Sequence, residues 1–174
     1  MPEKALLVID MLRDFLDPGG ALYCGDQAAG VVEPVRELLA AHRRAGSLVV
    51  FVADSHASDD LEFQLFPPHC VTGTPGAELL PVFTVAPGER LVRKHRYSAL
   101  FGTELEDILR RAGVREVHLA GVCTSICVME TASDLRNRDY KVVVHSRAVA
   151  DFDPQAHAFC LARMEKILGC QLAG

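Results

Sequence analysis

Five consecutive apolar residues, Ala5-Leu6-Leu7-Val8-Ile9, run straight into an acid, Asp10. Successive side chains of a strand point to opposite faces, so a run without polar alternation has no face for water and must be covered on both sides. The pattern recurs in Leu48-Val49-Val50-Phe51-Val52, closed by Asp54, and in a shorter form in Leu91-Val92-Arg93-Lys94, closed by a lysine. Residues 140–145, with Lys141-Val142-Val143-Val144, make another. Between these runs the apolar spacing turns helical. Val31, Val35, Leu38, Leu39 and His42 share one face of a helix that reaches about residue 44; Pro34 opens or kinks it, and Gly46 stops it. Residues 103–112 turn Leu105, Ile108 and Leu109 inward behind a candidate capping box of Thr103 and Glu106. A last helix, capped by Asp153, carries Ala156, Phe159, Cys160, Met164 and Ile167. Alternating strands and helices predict an α/β chain, a three-layer α/β/α arrangement around a mostly parallel open sheet. A single domain over residues 1–174 is expected, since that length buries about 70 % of its unfolded surface.

In such sheets ligands collect at the carboxyl ends of the strands. Three ends here carry Asp10, Asp54 and Lys94. A fourth strand, around Val117 and Leu119, is broken by Gly121 and followed by a polar turn, Thr124-Ser125. Beyond it a helix carries Val128, Met129, Ala132 and Leu135, with Cys123 and Cys127 on either side of the turn. A cysteine at a helix start meets unpaired N–H groups and the positive end of the dipole, both of which favour thiolate. A nearby lysine acts in the same sense, and a carboxylate can take the thiol proton and return it to a leaving amine. Spacing does not choose between the two cysteines.

Residues 11–25 form a loop around Asp17-Pro18-Gly19-Gly20, and residues 55–88 a much longer, proline-rich one. A loop of that length in a compact domain generally has a task. Asp54, His56, Glu62 and His69 offer two imidazoles and two carboxylates, a set suited to one divalent ion: zinc first, with iron or manganese as alternatives. Asp59 and Asp60 are rival ligands. Phe15, Phe66, Tyr97 and Phe101 flank these motifs and could wall a planar substrate.

A net charge of −5 argues against nucleic acid or an anionic membrane as the partner. Asp10 cuts the first apolar run too short for a leader, and no run approaches the ~18 residues of a membrane span. A cytoplasmic protein with six reduced cysteines is expected, with Cys24, Cys70, Cys160 and Cys170 structural or incidental. Apolar residues on the later helices suggest a homo-oligomer.

VID at 8–10, RKHRYSALFGT at 93–103 and GVCTSICVMETASDL at 121–135 together resemble the isochorismatase-like cysteine hydrolases. DSH at 54–56 and EFQLFPPH at 62–69 are similar to the nicotinamidase (pyrazinamidase) branch. The resemblance runs from the first strand to the last helix. It implies the isochorismatase-like hydrolase fold and a metal-dependent amidase that converts a small amide, nicotinamide, to the acid and ammonia. By the same resemblance Asp10, Lys94 and Cys127 are the catalytic triad, and the backbone N–H groups of Cys123 and Cys127 the oxyanion donors. Asp54, His56 and His69 would be metal ligands with Glu62 as the remaining one, and Phe15, Phe66 and Tyr97 substrate contacts. The Val122–Cys123 peptide falls where the family has a cis bond. Two positions depart from the pattern: Glu62 stands where nicotinamidases often have histidine, and Cys123 where alanine is common. A relative acting on another small amide or a vinyl ether is the alternative within enzymes. A binding module or a thiol redox protein is the alternative outside them.

Overall fold

A computed structural model describes residues 2–174. Six strands form one sheet in the order β3-β2-β1-β4-β5-β6, with β1 Lys4–Ile9, β2 Leu48–Asp54, β3 Arg90–Lys94, β4 Glu116–Val122, β5 Lys141–Ala150 and β6 Gln171–Ala173. Every pairing is parallel. The unbroken apolar runs are explained by two separate cores. Ala5, Leu7 and Ile9 face α4 (Leu105–Arg111), α5 (Met129–Arg136) and α6 (Pro154–Lys166). Leu6 and Val8 face α1 (Arg13–Leu16), α2 (Asp26–Ala29) and α3 (Val32–Arg44), together with part of the long loop. All five of these β1 side chains are fully buried, and burying each leucine is worth about 2 kcal/mol. No helix among the described residues is long and apolar enough to cross a membrane.

Several local expectations are corrected. The first loop contains the single-turn α1, and the first long helix is preceded by the separate α2, so Pro34 sits in the first turn of α3, where its missing N–H costs nothing. Val35, Leu39 and His42 are buried, and Leu38 is half-buried. Thr103 Oγ1 accepts from the amide of Leu105 and donates to the Ala99 carbonyl, but the helix begins one residue later, after Glu104, and Glu106 closes no reciprocal bond. In α6 the buried positions are Cys160 and Met164, one turn apart, while Phe159 and Ile167 are each 67 % exposed. Strand β5 continues to Ala150, past the polar Ser146 and Arg147 that ended the apolar run.

Gly121 does not break β4; the strand passes through it to Val122. It pairs with Ile9 at φ +121°, and a Cβ there would stand 1.9 Å from the Ile9 carbonyl oxygen. Only glycine allows the two backbones to approach so closely beside Asp10. Gly121→Ala is expected to destabilise the protein by about 3 kcal/mol or more, read as a lower urea midpoint at unchanged slope.

Candidate active site

The sheet order places the ends of β3, β2, β1 and β4 side by side, and with them the side chains singled out above. Asp10 follows β1 in a left-handed conformation (φ +53°) that aspartate tolerates better than bulkier residues. Its amide donates to the Val52 carbonyl (2.9 Å), and its Oδ1 accepts from the Asp54 amide (2.9 Å). Lys94, fully buried at the end of β3, points inward. Its Nζ is ion-paired with Asp54 Oδ1, lies 2.9 Å from Asp10 Oδ2 and 3.3 Å from Cys127 Sγ. Asp10 Oδ2 is buried, with this ion pair as its polar contact. A carboxylate oxygen of Asp10 and one of Asp54 each lie within 4.8 Å of Sγ.

A π-helical turn, Thr124–Val128, presents the thiol. The Val122–Cys123 peptide before it is cis, and Cys123 is the N-cap. In an α-helix the Cys123 carbonyl would accept from Cys127; here it accepts from Val128 (3.1 Å) and Ile126 (3.2 Å), passing over the Cys127 amide. Asp151, buried at the end of β5, accepts from the Ser125 amide (2.7 Å) and so ties down the start of this helix. Thr124 Oγ1 is 2.9 Å from His157 Nδ1 on α6.

The electrostatics differ from those expected of a cysteine at a helix start. Burial pushes the Cys127 thiol well above its usual value; Lys94 pulls it down, but the Asp10 and Asp54 charges add to burial. The resting sulfur is therefore a thiol. Burial, reinforced by Asp54, raises Asp10 to about 6 against the pull of Lys94. Burial would lower the Lys94 ammonium, yet Asp10 and Asp54 hold it well above its ordinary value. The same buried ammonium, with His56, holds Asp54 below the usual carboxylate range although burial opposes them. The arrangement is a protonated thiol, a carboxylate near neutrality and a fixed positive charge between them.

Asp54 faces two ways. Its Oδ2 is 3.6 Å from His56 Nε2 and 4.0 Å from His69 Nε2. Four nitrogen or oxygen ligands held about 2.1 Å from one ion in a tetrahedron stand about 3.4 Å apart, so these three buried atoms have the spacing of a metal site. The other ring nitrogens fix the tautomers. His56 Nδ1 donates to Asp60 Oδ2 (3.1 Å) and His69 Nδ1 to the Pro67 carbonyl (2.8 Å), so in each uncharged ring Nε2 is the nitrogen free for an ion. His56 Nε2 is buried without a hydrogen-bond partner. The donor set fits a divalent ion. Glu62 lies on the His69 side of this cluster, its Oε1 3.8 Å from His69 Nε2. Asp60 is no ligand: it accepts from His56, from Arg96 (3.0 Å) and from the Glu62 amide (2.9 Å), and so orients the imidazole. Asp59 is exposed.

Cys127, Asp54, Glu62 and His69 open onto one narrow cavity of about 30 Å³. Phe15, Phe66 and Tyr97 line it, and Phe15 and Phe66 approach the His69 ring at 5.5 and 6.2 Å. Phe101 lies outside it, 59 % exposed beside His95. Leu22, Ile126 and Phe152 complete the apolar wall; only their place in loops and turns, far apart in sequence, brings them here. Cys24 also reaches the wall, its sulfur 3.4 Å from that of Cys123, so it is not incidental packing. Among the described residues no sulfur is paired in a disulfide.

Residues 4–172 match the isochorismatase domain. An isochorismatase family protein of Bacillus subtilis is 40 % identical over 98 % of this chain and 99 % of its own. The crystal structure of a nicotinamidase from B. subtilis superposes with a TM-score of 0.94 at 40 % identity, covering 99 % of each chain. That of a pyrazinamidase from Pyrococcus horikoshii in complex with zinc gives 0.92 at 32 % identity, again over 99 % of each.

Proposed function

From its membership of the isochorismatase family, to which this chain belongs, we propose that the protein is a nicotinamidase, a cytoplasmic amidohydrolase that converts nicotinamide to nicotinate and ammonia. The observation that carries the reading is one cavity onto which Cys127, backed by the buried Lys94 and Asp10, opens beside Asp54 and His69 of the donor set, between Phe15, Phe66 and Tyr97. A substrate with an amide at one end and a nitrogen lone pair in an aromatic ring matches both halves.

Asp54, His56 and His69, with Glu62 as the remaining ligand, would hold one divalent ion, zinc first by its tolerance of mixed nitrogen and oxygen ligands. The ion would supply a Lewis-acid anchor for the ring nitrogen. Phe15, Phe66 and Tyr97 clamp the ring and exclude water. Asp10 takes the proton from Cys127, and Lys94 holds the resulting thiolate in place as its charge develops. The sulfur adds to the carboxamide carbon, and the oxyanion is received by the amides of Cys123 and Cys127. Asp10 returns the proton to the departing nitrogen, ammonia leaves, and a thioester remains. Asp10 then draws a proton from water, which cleaves the thioester and restores the thiol.

Purified protein loaded with Zn²⁺ is expected to release ammonia from nicotinamide faster than from aliphatic amides of similar size. Chelation should remove most of that activity and Zn²⁺ should restore it. Absence of ammonia release from nicotinamide by metal-loaded protein, with turnover of another amide, would leave the hydrolase and refute the substrate. Asp10 must also be ionised to act as base, so kcat/KM should fall on the acid side with a limb at or somewhat below pH of about 6. A cation on Asp54 offsets one of the charges that raise Asp10 and can only move that limb downward. Asp10→Asn should abolish the turnover rather than move the limb.

A further inference from the structure

Three of the seven histidines gather away from the cavity, on the α3 face of the sheet. His118 is the third residue of β4, whereas the candidate active site begins beyond its last, Val122. His145 stands beside it on β5, and His42 reaches both from the last turn of α3. The ring centroids are 4.5 Å apart for His42 and His118 and 5.1 Å for His118 and His145. Each ring offers a nitrogen within 4.8 Å of the other two.

We propose that His42, His118 and His145 form a second metal site, for a divalent ion with a preference for imidazole such as Zn²⁺. The hydrogen bonds around the cluster are arranged for it. Glu116 Oε1 accepts from His118 Nε2 (2.9 Å), so His118 Nδ1 carries the lone pair. Glu116 is held ionised, at about 2, by Lys141 and Lys4, which pair with it at 2.6 and 2.7 Å; it remains an acceptor throughout the neutral range. His118 Nδ1 faces His145 Nε2 at 2.8 Å, which makes His145 the donor in the metal-free state. A cation takes the place of that one proton: His145 changes tautomer, its proton passing through solvent from Nε2 to Nδ1, so the ring stays neutral and both facing nitrogens then point at the ion. His42 Nδ1 lies 3.0 Å from Ser47 Oγ; in the tautomer that donates to this hydroxyl, Nε2 is left for the same centre. A carboxylate behind one ligand and a hydroxyl behind another are the supports that metal-bound imidazoles generally have. Burial, with the neighbouring imidazoles, holds His42 and His145 down at about 4, so both rings are uncharged near neutrality. His42 is buried, and His118 and His145 are half-buried; a surface depression beside His145 gives an entry path.

The test uses the full chain with His56→Gln and His69→Gln, which removes the imidazoles of the other donor set, and Co²⁺ as the probe. Equilibrium dialysis with metal analysis is expected to find one bound Co²⁺ per chain, with the intense visible bands of a low-coordinate nitrogen site. Adding His118→Gln should weaken binding about a hundredfold or more, and Glu116→Gln about ten- to a hundredfold. If the double background does not fold, the wild-type chain serves, and His118→Gln or His145→Gln should lower its Co²⁺ capacity by one equivalent while ammonia release stays unchanged. No bound Co²⁺ in a folded double variant, or a capacity untouched by both His118→Gln and His145→Gln, overturns the site.

Discussion

Cys127→Ala is expected to lose about four orders of magnitude or more in kcat, while the protein keeps its fold and metal content. The sulfur is a buried nucleophile within reach of both Lys94 (3.3 Å) and the Asp10 carboxylate. Alanine removes it without adding volume. The loss of one buried sulfur costs about 1 kcal/mol, too little to unfold the chain. Cys123→Ala is the control. That side chain lines the cavity and touches Cys24, but only its backbone serves the proposed chemistry, so the variant should keep most of its activity. Ammonia release by the two variants, with circular dichroism and bound metal measured alongside, separates the assignments. Full activity in Cys127→Ala would refute the mechanism, and loss in Cys123→Ala alone would exchange the two thiols.

Lys94→Met should cost both activity and stability, by a different route. Methionine nearly matches the volume of the lysine but leaves Asp10 and Asp54 facing each other without a cation, where now one ammonium pairs with both. Removing one partner of a buried ion pair typically costs about 3–5 kcal/mol. The penalty has a sign in pH. Asp10 already stands above its unfolded value through burial and Asp54, and without Lys94 it stands higher still. The folded variant then holds a proton that the unfolded chain gives up, so the variant loses stability as pH rises from the unfolded value towards the folded one. Urea midpoints should therefore differ more from wild type at about pH 8 than at about pH 5, and the reverse ordering would show that the lysine does not neutralise this pair.

The sheet was legible because both its faces are covered: an apolar run without alternation admits few other readings, and the charged residues that closed three such runs were the ones to meet. The missing pieces had no local pattern. β6 is three residues long and exists by pairing with β5, and the outer half of β5 is interrupted by Ser146 and Arg147. Phe159 and Ile167 fit a helical stripe by spacing, but α6 turns a narrower face inward. Asp60 and Asp151 work through bonds to His56 and the Ser125 amide that no sequence spacing announces. Cys24 meets Cys123 across 99 positions. A helix-start cysteine suggests an acidic thiol, yet burial between two carboxylates reverses that expectation, an effect visible only once the neighbours are in place.

The strand order has a consequence for how the protein comes into being. Lys94 meets Asp54 across 40 positions and Cys127 across 33, and Asp10 meets the Asp54 amide across 44. No two of these groups can be brought together by a hairpin or a single helix. A growing chain that has passed Lys94 owns both acids and the base that separates them, but has no sulfur to offer until β4 and the turn beyond it are made. Contacts of this span close late and slowly. Catalytic competence therefore arrives in one step, with the completed sheet, and turnover is a gauge of the fully assembled population.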